Sequence, residues 1–152
     1  MRQLDARLLG FEVPPAAPSV GRYAPFIQHN GLVSIVQGPL WGEELRYTGR
    51  VGEGVSLDRA RNAARLCCAN VLVQLQNACG GDLSRFRACY RLGGFVNATA
   101  EFRDHTAVMN AASELLLAVL GDGARHSRFA VGCSSLPFDL TVELEGWFAV
   151  EV

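Results

Sequence analysis

The chain reads as an α+β two-layer sandwich: a mostly antiparallel sheet with two helices on one face, in the element order βββαβαββ. Three observations predict it. Asn30-Gly31 separates the apolar runs Phe26-Ile27 and Leu32-Val33-Ser34-Ile35-Val36, and this pair suits the two positive-φ positions of a type I′ hairpin turn. Two segments, from Ser56 to about Ala78 and from Phe102 or Asp104 to Gly121, carry apolar residues at helical spacing. Alternating runs follow each of them, at residues 86–92 and 127–150. With 152 residues the chain is expected to be one domain, 1–152, large enough for one core.

Each element has a local reason. Leu4, Ala6 and Leu8 alternate and suggest an edge strand, after which Pro14, Pro15 and Pro18 enforce an extended connector. Residues 38–54 are rich in glycine and polar groups and read as an ordered loop. Ser56 is a candidate N-cap with Asp58 in the first turn. The stripe Ala60, Ala63, Ala64, Cys67, Val71, Leu72, Leu75 and Ala78 then builds the first helix, and Gly80-Gly81 ends it. Phe86, Ala88, Tyr90 and Leu92 alternate with Arg87, Cys89 and Arg91 as a central strand, and Gly93-Gly94 marks a bulge or a close backbone approach. Val108, Ala111, Ala112, Leu115, Leu116 and Val119 form the buried face of the second helix; Asn110 in its middle is a solvated position or a polar contact at a site.

Composition narrows the chemistry. The net charge of -1 gives no long-range attraction to nucleic acid, and no basic stripe or histidine pair suits phosphodiester cleavage. All 14 basic residues are arginine, which removes every mechanism needing a lysine Schiff base or a P-loop lysine. The five cysteines (Cys67, Cys68, Cys79, Cys89, Cys133) are odd in number, lack C-x-x-C spacing and read as reduced apolar residues of a cytoplasmic protein. His29, His105 and His126 are scattered, so no metal site is expected. No apolar run reaches the roughly 18 residues of a membrane span, and no signal peptide is apparent.

Residues 127–150 concentrate the functional signal. Read as a hairpin, the two runs have Phe129, Val131, Cys133, Leu140, Val142, Leu144 and Phe148 on the core face. Setting Phe129 against Val142 and Val131 against Leu140 brings Arg128 opposite Glu143 on the other face. That pair is either a cross-strand ion pair worth about 0–1 kcal/mol or a site in which Arg128 grips a carboxylate and Glu143 handles a proton or a water. His126 shares the arginine's face if the strand extends that far, and otherwise ends an exposed loop. Trp147 lies on the face left open by the helices, so neighbouring copies are expected to cover it.

Several of these residues form a familiar pattern. Gly21-Arg22-Tyr23, Gln37-Gly38-Pro39 after the hairpin, Val96-Asn97, Asn110, Ser127-Arg128-Phe129-Ala130-Val131-Gly132, Leu136-Pro137 and Val142-Glu143-Leu144-Glu145 resemble the YjgF or Rid (reactive intermediate deaminase) family, also labelled endoribonuclease L-PSP. The resemblance implies a chorismate-mutase-like fold, a homotrimer and ligand clefts between subunits. It implies a cofactor-free imine or enamine deaminase that hydrolyses small 2-imino acids to 2-keto acids and ammonia. In that reading Arg128 holds the carboxylate, Glu143 stands near the water, Tyr23 lines the cleft and Asn110 is the helix asparagine. Two positions depart from it: Val36 stands where deaminase members carry the serine of Ser-Gly-Gln, and Ala130 where they carry cysteine or threonine. The alternative is therefore a trimeric protein that binds small carboxylated metabolites without turning them over.

Overall fold

The structure, a computed structural model, describes all 152 residues. Leu4, Ala6 and Leu8 do not form the expected edge strand; α1 (Ala6–Leu9) is a single helical turn. Local hydrogen bonding overrides the alternation, because the Asp5 side chain accepts from the Arg7 N–H and Gly10, at φ 80°, supplies a left-handed cap. Leu9 rather than Leu8 enters the core.

The Asn30-Gly31 hairpin forms as expected. β1 (Phe26–His29) and β2 (Leu32–Gln37) pair antiparallel through a turn with φ of 48° at Asn30 and 77° at Gly31. The loop that follows folds into two small ladders, β3 (Leu40–Trp41) with β4 (Glu44–Leu45) and β5 (Arg50–Val51) with β6 (Gly54–Val55). The first long helix, α2 (Leu57–Ala78), starts where the Ser56 hydroxyl accepts from the Arg59 N–H. After it come β7 (Phe86–Asn97), α3 (His105–Leu120), β8 (Ser127–Cys133) and β9 (Val142–Val150).

The five long strands form one sheet in the order β1-β2-β9-β7-β8, antiparallel except for β7 with β8. This overturns the C-terminal hairpin. β8 does not touch β9; β7 lies between them, and Arg128 pairs in register with Leu92 whereas Glu143 pairs with Phe95. The cause is the connection: a strand, a crossing helix and a second strand return parallel to the first, so β7-α3-β8 is a crossover unit. The segment after β8 makes a tight turn at Pro137–Asp139, with left-handed φ of 57° at Phe138 and 56° at Asp139, before reaching the far side of β7.

Both long helices pack on one face of the sheet. Leu72, Leu75, Leu92, Met109, Leu116, Leu144 and Phe148 are all fully buried between the layers. The paired glycines serve close approach on both faces of β7. A Cβ at Gly94 would lie 2.1 Å from the Met109 sulfur under α3, and one at Gly93 would lie 2.1 Å from the Phe129 ring on the opposite face. Phe129, Val131 and Cys133 are therefore on the face away from the helices, and Arg128, Ala130 and Gly132 face α3, the reverse of the hairpin expectation. No helix is long and apolar enough to cross a membrane.

Candidate ligand-binding site

The face without helices carries a cavity of about 500 Å³ at the β1–β2–β9 end of the sheet. Its floor is formed by Ile27, Ser34, Val36 and Glu143, side chains that share the open face of neighbouring strands. Its walls come from three loops that α2 and the sheet hold in place. Gln74 of α2 donates to the Ala17 carbonyl at 3.3 Å and ties down the proline-rich connector that leads to Tyr23. Asn70, also buried in α2, donates to the carbonyls of Gly38 and Leu40 at 3.0 and 2.7 Å and fixes the strand end after the hairpin. Asn97 donates to the Asp139 carboxylate and the Leu140 carbonyl at 3.0 and 3.2 Å, holding the segment that presents Phe138.

Tyr23 and Phe138, exposed by 59% and 58%, stand as aromatic rims on this cavity. Glu143 is the one charged group that lines it, half-buried, with no ion pair or hydrogen bond from its own chain. Burial pushes the Glu143 carboxyl above its ordinary range, because the charged form loses solvation and gains no cation. The cavity thus offers apolar and aromatic walls around a single carboxylate without a counterion.

Arg128 lies elsewhere, on the helix side of the outermost strand. Its Nη1 donates to the Ser113 hydroxyl of α3 at 2.9 Å, which is its one hydrogen bond within the chain. Desolvation lowers the Arg128 guanidinium from its ordinary value, and no carboxylate stands near enough to offset that. Asn110 sits one helical turn before Ser113 on α3 and is half-buried.

The four expected site residues therefore divide into two groups. Tyr23 and Glu143 meet in the open-face cavity, and Arg128 and Asn110 share the β8–α3 edge. Arg128 and Glu143 project from opposite faces of the sheet, so the expected side-by-side pair within one chain does not exist. The two acidic residues of β9 are not equivalent, since Glu145 is engaged by Arg91 at 2.6 Å while Glu143 is free.

Two further residues surround the arginine, and nothing in the sequence signals that they meet. Ser113 lies in the stretch Asn110–Leu116 that resembles the family pattern, with no role of its own assigned there. His126 is not an exposed loop end: it is half-buried, its Nε2 2.9 Å from the Ser113 hydroxyl and its Nδ1 2.7 Å from the Ala124 carbonyl. No cluster of three or more histidine, cysteine or acidic side chains comes together in a way that could hold a metal ion. Cys67, Cys68 and Cys89 are buried, and burial raises each thiol, that of Cys89 to about 12, which keeps them protonated and unreactive.

Comparison with known proteins gives a consistent result. Residues 5–145 match the family described as "YjgF/chorismate mutase-like, putative endoribonuclease". Protein TCP17 of Trypanosoma cruzi is 35% identical over 140 residues, covering 90% of this chain and 86% of that protein. Among solved structures, the protein Atu1372 of Agrobacterium tumefaciens, of unknown function, superposes with a TM-score of 0.89 at 40% identity over 96% of this chain and 91% of its own. Escherichia coli TdcF, solved with bound serine, shares the fold at a TM-score of 0.61 and 20% identity, covering 90% of this chain and 94% of that one.

Proposed function

The chain belongs to the YjgF/chorismate mutase-like family, and on that premise we propose that it takes a small carboxylated metabolite in a cleft between copies of itself, hydrolysing a 2-imino acid or enamine to the 2-keto acid and ammonia. The observation that carries this reading is the separation of two incomplete half-sites. One has a desolvated guanidinium with no anion, and the other an apolar cavity with a desolvated carboxylate and no cation. Each lacks what the other has. A β8–α3 edge set against the open face of a second copy brings Arg128 and Asn110 of one chain to Tyr23 and Glu143 of the next.

Such a contact is heterologous, joining two different surfaces, and it closes as a ring when the rotation between copies allows. The family resemblance implies a ring of three. The exposed apolar side chains of the open face supply the area: Ile27, Val36, Phe95 and Val131 are exposed by 63%, 45%, 39% and 41% on a sheet face without helices.

The chemistry follows from the groups. The guanidinium binds the substrate carboxylate and fixes the C=N carbon in the cavity mouth. Water adds to that carbon as Glu143 accepts its proton; the protonated carboxyl returns that proton to the nitrogen, the C–N bond breaks as the new hydroxyl loses its proton to become the carbonyl, and ammonia leaves. A carboxyl whose proton affinity is raised by burial is better matched to exchanging that proton near neutrality than an exposed one.

A second reading, binding without turnover, is favoured by a specific feature. Val36 lines the cavity floor beside Glu143, and Ala130 lies two residues from Arg128, so neither position offers a hydroxyl or thiol to orient the water. Ammonia release from a freshly generated 2-imino acid decides between the two. Deaminase activity predicts acceleration by the protein and its loss in Arg128→Ala; binding alone predicts no acceleration but heat of binding with 2-keto acids that Arg128→Ala abolishes. Neither acceleration nor binding, or a protein that sediments as a monomer at micromolar concentration, overturns the cleft.

A further inference from the structure

The arginine is held by a chain of hydrogen bonds whose direction follows from chemistry when the imidazole is neutral. The Ala124 carbonyl only accepts, so the His126 Nδ1 at 2.7 Å carries a proton and donates to it. In the neutral imidazole the other nitrogen, Nε2, is then a bare acceptor. The Ser113 hydroxyl at 2.9 Å therefore donates its proton to Nε2. A guanidinium only donates, so the serine oxygen, its own proton committed to the imidazole, accepts from Arg128 Nη1 at 2.9 Å. Three elements contribute: the turn before β8 supplies Ala124 and His126, α3 supplies Ser113, and β8 supplies Arg128.

We propose that Ser113 and His126 are positioning residues for Arg128: they clamp Nη1 and leave the Nε–Nη2 edge of the guanidinium free to take a planar carboxylate side-on. The proposal rests on the reading of Arg128 as the carboxylate-holding group. Without the imidazole, the serine hydroxyl could rotate its proton in any direction and would offer its lone pairs to the guanidinium only part of the time. With the imidazole, the oxygen is aimed and one rotor of a long side chain is removed before ligand arrives. The free edge is the geometry that accepts two parallel bonds from a carboxylate. The network also stands beside Ala130, one of the two positions that lack the polar side chain of deaminase members, so side chains from α3 and the preceding turn supply polarity that β8 does not.

Nitrogen-resolved NMR tests this without any ligand. In the wild-type protein the imidazole of His126 is expected as the Nδ1–H tautomer, and the Nη groups of Arg128, assigned by their absence in Arg128→Lys, are expected to rotate slowly enough to be resolved. Ser113→Ala and His126→Phe should average those Nη signals, and Ser113→Thr, which keeps the hydroxyl, should restore them. The Nε2–H tautomer, or resolved Nη signals that survive Ser113→Ala, overturns the proposal.

Calorimetry with pyruvate and 2-ketobutyrate supplies the functional arm. Ser113→Ala should weaken binding by about tenfold or more, the loss of one hydrogen bond to a charged group. If turnover occurs, KM rises by that factor with kcat largely retained, and Ser113→Thr recovers most of it. Binding lost in Arg128→Ala but unchanged in Ser113→Ala rejects the positioning role while the carboxylate reading stands. A wild-type protein that binds neither acid, yet shows the expected tautomer and the averaging of Nη, rejects the carboxylate reading and leaves the clamp as the arrangement of Arg128.

Discussion

The two faces of the central sheet are built from alternate residues of the same strands, yet they have opposite fates. On one face Val33, Ile35, Leu92, Val96, Leu144 and Phe148 are sealed under α2 and α3. On the other, Ile27, Val36, Phe95 and Val131 remain exposed, among Arg91, Glu143 and Glu145. The covered face is satisfied within one chain. The open face leaves apolar side chains in solvent beside charged ones, and the Trp147 indole N–H is buried there without an acceptor. The core that one chain builds for itself thus lies in one layer, and the other layer is left open.

The largest expected effect sets core against interface. Leu144→Ala should lower the unfolding free energy by about 2–5 kcal/mol in urea denaturation, because its fully buried side chain leaves a cavity under the helices. Val131→Asp, on the open face, should act through association: the wild-type melting temperature rises with protein concentration and that of the variant does not. A wild-type melting temperature independent of concentration would remove the distinction.

The adjacent glycines of β7 sharpen the comparison within one strand. An added Cβ at Gly94 runs into the buried Met109 and should cost about 1–3 kcal/mol. At Gly93 the obstacle is the half-buried Phe129 ring, which no helix of the same chain covers, so Gly93→Ala should destabilise less in the same assay. Equal losses would show that the open face is as tightly packed as the core.

A smaller effect concerns Glu143. Its folded-state proton affinity is raised, so the protonated form favours folding. The stability it contributes is full below the unfolded value and is lost as pH rises through the folded one. Glu143→Gln should therefore flatten the pH dependence of the melting temperature above the ordinary carboxylate range and be no less stable than wild type at neutral pH. A variant that loses stability at neutral pH would mean that the carboxylate is already paired with a cation from a neighbouring copy. The smallest effect is expected at Glu145. Its ion pair with Arg91 is partly exposed, and Glu145→Gln should change stability by less than about 1 kcal/mol.

Much of this was legible from residue order, for reasons that are local. The Asn30-Gly31 turn, the Ser56 cap, the Gly80-Gly81 stop and the glycine pair at 93–94 each answer to constraints within a few residues, and each appears where expected. The N-terminal alternation misled, because three apolar residues carry less weight than a capped turn with a left-handed glycine. The C-terminal hairpin misled for a different reason. Alternation in residues 127–133 is equally compatible with either face when both faces of an edge strand hold apolar and small residues. The contact between Ser113 and His126 was invisible because they lie thirteen residues apart and meet only when β8 docks beside α3.

What the amino-acid order determined by itself is the Asn30-Gly31 hairpin and the two long helices with their buried stripes, since each depends on neighbours along the chain. The tertiary structure alone decided which strand lies between β8 and β9, and hence that Arg128 and Glu143 face away from each other. Strand order is set by a crossover helix and long-range pairing, and no periodicity within a single run encodes it.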